Sequence, residues 1–167
     1  MKISVIGYPR VGAHRELKYA TEKYFNDART QEELQSVAST LRSTHWRSQR
    51  NKGIDYIPSN DFSFYDHFLD TAVLLNIVPD RYRQLNLNHL DEYFAMARGY
   101  QGKHGDVKAL AMKKWFNTNY HYMVPEIDDN TQINLVGEKP FLYFERFDLT
   151  SLVCGKDPMV VVGSRGN

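Results

Sequence analysis

Val11, His14, Arg15 and Lys18 recur at three- and four-residue spacing behind the glycine-punctuated run Gly7-Tyr-Pro-Arg-Val-Gly12. Residues so spaced share one face of a helix, so an imidazole and two cations would converge there. Arg presents a planar fork and Lys a mobile point charge, a combination suited to carboxylates. A helix N-terminus already carries partial positive charge and unpaired N–H groups. Cations placed there cost a few tenths to about 1 kcal/mol each unless an anion sits nearby. The alternative is a solvated basic face, because surface Arg and Lys are common. The G-x4-G spacing also fits a phosphate-binding loop between a strand and a helix. Ala13-His14 stand where Lys and Ser/Thr would neutralise phosphate and hold magnesium, which argues against nucleotide hydrolysis.

A second cluster, Lys113-Lys-Trp-Phe-Asn-Thr-Asn-Tyr-His-Tyr122, mixes cations, aromatics and amides. These types would stack on and hydrogen-bond a flat heterocycle with an acidic tail. The competing expectation is that Trp115 and Phe116 are packed core aromatics. His121 has no second His or Cys at metal spacing and reads as a hydrogen-bonded structural residue. Asp61 is expected to cap a helix. The single cysteine, Cys154, reads as a small buried hydrophobe in a reducing compartment. No nucleophile–base pair stands out.

Elements must carry these clusters. The 167 residues are 42% hydrophobic and 25% charged, enough for an ordinary core, and one domain spanning 1–167 is the default. A net charge of +1 gives no global basic field, so nucleic acid is not an expected partner. No stretch has the roughly 18 apolar residues of a membrane span, and the start is too short in apolar residues for a signal peptide; a cytoplasmic protein is expected.

The pattern alternates. Ile3–Ile6 predicts a short buried strand, and a helix runs from about residue 14 to 26. Thr30 with Glu33 forms a capping box for a second helix that stops at Gly53. Ile54–Ile57 predicts strand two, followed by Ser59-Asn60-Asp61 as N-cap candidates for a helix closed by Pro79. A further helix ends at Gly99, before a polar loop at 101–105. Residues 107–116 predict another helix and 117–125 strand three. Pro140 opens a helix 141–152, and Met159–Val162 is a wholly apolar strand. Alternation of this kind implies βαβ units on a parallel sheet, with ligand groups at the C-terminal ends of the strands. A complete (β/α)8 barrel takes about 250 residues. The expected fold class is therefore α/β, about half of a TIM-type barrel, whose uncovered edges call for a partner.

Gly7-Tyr-Pro-Arg-Val-Gly12, Arg15-Glu-Leu-Lys18, Ile57-Pro-Ser-Asn-Asp-Phe-Ser-Phe-Tyr-Asp66, Tyr93-Phe-Ala-Met-Ala-Arg-Gly99 and Lys114-Trp-Phe-Asn-Thr-Asn-Tyr-His-Tyr-Met-Val-Pro-Glu126 stand in that order. Together they closely resemble the N-terminal domain of the cobalamin-independent methionine synthase family, over about residues 3–135. The resemblance implies part of the first of two barrels, with the catalytic C-terminal barrel absent. It implies that Arg15, Glu16, Leu17, Lys18, Lys114 and Asn119 contact the polyglutamate tail of a 5-methyltetrahydrofolate. It also implies that the zinc of the intact enzyme, with its His, Cys and Glu ligands, lies in the missing half, so this chain holds no cofactor and does not turn over alone. The expected partners are the folate polyglutamate and either a second copy or a complementing C-terminal domain. The alternative is a truncated homologue that has lost folate binding and acts as a dimeric or partner-binding module.

Overall fold

Thr30 accepts a hydrogen bond from the Glu33 N–H at 3.3 Å, while the Glu33 carboxylate accepts from the Thr30 N–H at 2.8 Å. In the computed structural model, which describes residues 2–143, this capping box opens α2 (Gln31–Asn51). The helix stops before Gly53, whose φ of +78° suits a residue without Cβ. Before it lies α1 (Glu16–Phe25). After it come α3 (His67–Leu74), α4 (Asp80–Arg83) and α5 (His89–Arg98). Asn88 caps α5 by accepting from the Asp91 N–H at 2.9 Å. Gly99 ends that helix, and a Cβ there would lie 2.9 Å from the Val107 carbonyl oxygen.

The described residues form two compact units, 63–138 in one and 2–62 with 139–143 in the other. In the unit of residues 2–62 and 139–143, α1 packs on α2. Leu17, Ala20, Leu34, Ala38 and Leu41 are buried, the outcome of apolar positions recurring every three to four residues. Trp46 and Ile57 form a second cluster with Ile54, and the Trp46 indole N–H donates to the Pro58 carbonyl at 3.2 Å. Residues 3 to 6 make one parallel bridge, Ser4 to Tyr56. The N–H groups of Asp55 and Tyr56 both donate to the Ile3 carbonyl, at 3.0 and 3.1 Å.

The unit of residues 63–138 contains α3, α4, α5 and two small antiparallel sheets. β1 (Tyr100–Gly102) pairs with β2 (Gly105–Val107), and β3 (Met112–Lys114) with β4 (His121–Met123). In the second hairpin Met112 faces Met123, Lys113 faces Tyr122 and Lys114 faces His121. Leu69, Tyr82, Met96 and Met123 are almost completely buried, each worth about 1.5–3 kcal/mol as removed apolar surface.

Several expectations are corrected. The described residues form an α/β mixture whose sheets are antiparallel hairpins; parallel pairing among them is confined to the Ser4–Tyr56 bridge. Ile3–Ile6 is not buried, with Ile6 80% exposed. The polar loop at 101–105 is the turn of the β1–β2 hairpin, closed by Gly102 opposite Gly105. Residues 107–116 are not helical: cross-strand pairing to residues far along the chain overrides a local composition rich in Lys and Ala. Strand three is the short β4. Pro79 does not close α3 but precedes α4, and α3 is capped by Asp66, not Asp61. The helix expected at 141–152 is helical through Tyr143; its remainder, Cys154 and the strand 159–162 lie outside the described residues.

Candidate functional site

The loop before α1 is built around Gly12, whose φ is +87°. A Cβ there would sit 2.0 Å from Glu16 Oε2 and 2.8 Å from Leu41 Cδ2, so only glycine lets the loop close on the helix. The Arg15 N–H donates to the Gly12 carbonyl at 3.3 Å and the Leu17 N–H to the Val11 carbonyl at 3.1 Å. Arg15 is thereby held at φ 62°, ψ 33° as the N-cap of α1, with no side-chain cap bond. A non-glycine residue in this left-handed region costs about 1–2 kcal/mol. Val11 and His14 precede the helix, so the single helical face expected for Val11, His14, Arg15 and Lys18 does not form.

Glu16 answers the positive end of the helix. Its carboxylate accepts from the His14 N–H at 3.0 Å. Its own backbone N–H, then that of His14, hold its pKa below the ordinary carboxylate value. Lys18 pairs with Glu22 one turn on, at 3.6 Å, with both side chains about half exposed. Lys18 therefore has local compensation, whereas Arg15 forms no ion pair among the described residues. Leu17 is 3% exposed and belongs to the core.

Behind this loop lies a polar cluster. Asp61 accepts from the Tyr8 N–H at 2.7 Å, which replaces the capping role expected of it. Burial pushes its pKa up, against the pull of that N–H and of Lys139. Tyr8 stacks on His45 with ring centroids 4.5 Å apart, and burial lowers the His45 pKa, with Glu16 opposing. Arg42 is buried, its guanidinium 4.2 Å from the Tyr143 ring centroid and 5.1 Å from that of Phe62. Gln49 Oε1, Ser59 Oγ and Asn60 Oδ1 are buried with no hydrogen-bond partner among the described residues.

In the unit of residues 63–138, Asp66 fixes the hairpin that carries Lys114 and Asn119. One carboxylate oxygen caps α3 by accepting from the Phe68 N–H at 2.7 Å. The other accepts from the Met123 N–H of β4 at 2.9 Å. Burial raises the Asp66 pKa against those two bonds. Tyr93 donates to Asp70 at 2.8 Å and accepts from the Tyr65 N–H at 3.1 Å. Burial pushes its phenol well above the usual value, so it remains a donor. Lys113, Lys114 and Asn119 are exposed and form no ion pair or side-chain hydrogen bond among the described residues. Trp115 is partly covered by Phe68 and Tyr122, but Phe116 is 89% exposed. That overturns the expectation of a packed Phe116, and an exposed aromatic there was not legible from composition.

Of the predicted site residues, Arg15, Glu16, Leu17 and Lys18 thus stand together at the start of α1, and Lys114 and Asn119 share the β3–β4 hairpin. Among the described residues no group of three or more His, Cys, Asp or Glu side chains could hold a metal ion. None of their helices is long and apolar enough to cross a membrane.

A family model described as "Cobalamin-independent synthase, N-terminal domain" matches residues 2–164. A protein of Campylobacter jejuni subsp. doylei named 5-methyltetrahydropteroyltriglutamate–homocysteine methyltransferase is 64% identical over 141 residues, 84% of this chain and 19% of the relative. Proteins of the same name from Streptococcus suis and Streptococcus thermophilus are 56% and 55% identical, over 145 and 141 residues. The chain spans 19% of the length of each of these relatives.

Proposed function

The chain belongs to the family described as cobalamin-independent synthase, N-terminal domain, and from that membership we propose that it binds the γ-linked glutamate tail of a 5-methyltetrahydropteroyl polyglutamate. Arg15, Lys18 and Lys114 meet the tail carboxylates as charge-assisted hydrogen-bond donors. Asn119 donates its amide, Glu16 keeps the start of α1 ordered, and Leu17 anchors that segment in the core. The observation that carries the reading is identity of 55% to 64% with proteins whose name specifies a triglutamyl substrate. Free cations on the hairpin support it.

In this reading the chain supplies binding and orientation and does not carry out methyl transfer to homocysteine by itself. Purified chain given homocysteine, zinc and a methyltetrahydropteroyl triglutamate should form no methionine; methionine formation would overturn this part of the proposal.

Family membership and the one parallel bridge, Ser4 to Tyr56, support a segment of a TIM-type barrel as the setting of these residues. Exposed Ile3 and Ile6 support a covering partner, either a second copy or a complementing domain. The direct test is calorimetric titration with tri- and monoglutamyl folates. Affinity should rise with tail length and fall on Arg15→Ala or Lys114→Ala. Equal affinity for both ligands, or no binding at millimolar concentration, favours a module without folate binding.

A further inference from the structure

Phe116 combines three features that a structural residue would not need together. It is 89% exposed, it holds a left-handed backbone at φ 49°, and it lies between Lys114 and Asn119 in the turn of the β3–β4 hairpin. Asn117 and Asn119 stand beside it. Asparagine adopts the left-handed region at lower cost than a bulky aromatic, so turn formation alone gives no reason for phenylalanine to occupy that conformation.

The surroundings hold this conformation in place. The Trp115 N–H donates to the Tyr120 carbonyl at 2.8 Å, and the Thr118 N–H to the Trp115 carbonyl at 3.0 Å. The Thr118 hydroxyl also donates to the Trp115 carbonyl and accepts from the Tyr120 N–H at 3.2 Å. Beside the turn, Phe68, Trp115 and Tyr122 pack against one another in tilted contacts with ring centroids 4.8 to 5.5 Å apart. The Phe116 ring stands 6.2 Å beyond Trp115. A rigid base thus carries one strained, solvent-facing ring next to unpaired cations, the arrangement of a preformed stacking surface.

Resting on the proposed binding of a pteroyl polyglutamate, we propose that Phe116 stacks on the p-aminobenzoyl ring of that ligand, while Lys114 binds its carboxylates. An aromatic ring joined to a chain of carboxylates is the ligand chemistry that uses both neighbours at once.

Two probes separate this from the proposal it rests on: p-aminobenzoyl-γ-triglutamate and γ-triglutamate lacking the ring, titrated into the full chain by calorimetry. The ring-bearing probe should bind more tightly. Phe116→Leu should weaken it about fivefold and leave the ring-free probe unchanged, while Phe116→Tyr should retain wild-type affinity for both. Lys114→Ala should weaken both. Far-UV circular dichroism establishes that each variant is folded. If both probes bind and Phe116→Leu changes neither, or weakens both equally, stacking is overturned and tail binding stands. If neither probe binds the wild-type chain, tail binding is overturned and stacking with it.

Discussion

The start of α1 and the β3–β4 hairpin are both cationic, yet only one answers its own charge. At α1 the Glu16 carboxylate faces the helix N-terminus and Lys18 pairs with Glu22. On the hairpin, Lys113 and Lys114 form no ion pair among the described residues, and an exposed aromatic ring stands beside them. Charge at a helix end is conspicuous in a sequence, but helices have neighbours at i+4 that can neutralise it. In this hairpin the cross-strand neighbours of Lys113 and Lys114 are Tyr122 and His121, which offer no carboxylate, so its cations are the better indicators of an external anion.

The largest expected effect breaks the hairpin side of this comparison. Asp66→Ala removes the α3 cap and leaves the buried Met123 N–H without its acceptor, a loss of about 2–4 kcal/mol in urea denaturation. Since burial raises the Asp66 pKa, the ionised carboxylate is disfavoured in the fold. Its pKa-linked contribution is therefore fully present below about pH 3.8 and declines as pH rises through the raised value. Asp66→Asn should remove that part of the stability–pH profile.

Gly12→Ala tests the other region. The new Cβ would meet Glu16 and Leu41 at a strained φ, for a loss of about 1–2 kcal/mol measured the same way. A smaller difference should sharpen the contrast in binding. Lys114→Ala should weaken a triglutamyl ligand about five- to tenfold and Lys18→Ala only about two- to threefold, because Glu22 already screens Lys18. Equal losses would place the two regions on the same footing.

The smallest effect concerns Arg81 and Glu126, whose Arg81 Nη2 to Glu126 Oε1 bond is 2.7 Å. The hydrogen bonds from Arg81 hold the Glu126 pKa below its ordinary 4.5. The pair's contribution is thus present above about pH 4.5 and lost as pH falls through the lowered value. Glu126→Gln should flatten that acid slope in urea midpoints taken between pH 6 and 3.

What could be read from the sequence was local. The Thr30–Glu33 capping box and the stops at Gly53 and Gly99 lie within a few residues of the structure they specify. The hairpins did not announce themselves, because Met112–Lys114 is exposed throughout and acquires strand geometry only by pairing with residues 121–123. Asp61 resembles a cap in the sequence; its turn to Tyr8, and the place of Asp66 between α3 and the Met123 N–H, depend on residues more than fifty positions away. In the candidate site, Arg15 and Lys18 were conspicuous by charge, whereas the role open to Phe116 depends on exposure and a backbone angle.

The Ser4–Tyr56 bridge joins segments about fifty residues apart through very few hydrogen bonds. Closing such a loop carries a chain-entropy cost of about 3.5 kcal/mol, which a single bridge offsets poorly. Residues 3–6 should therefore dock last during folding and detach by local opening long before α2 unravels. Amide hydrogen exchange would register this as early loss of protection at Asp55 and Tyr56, making the N-terminal segment a reporter of local opening in its half of the chain.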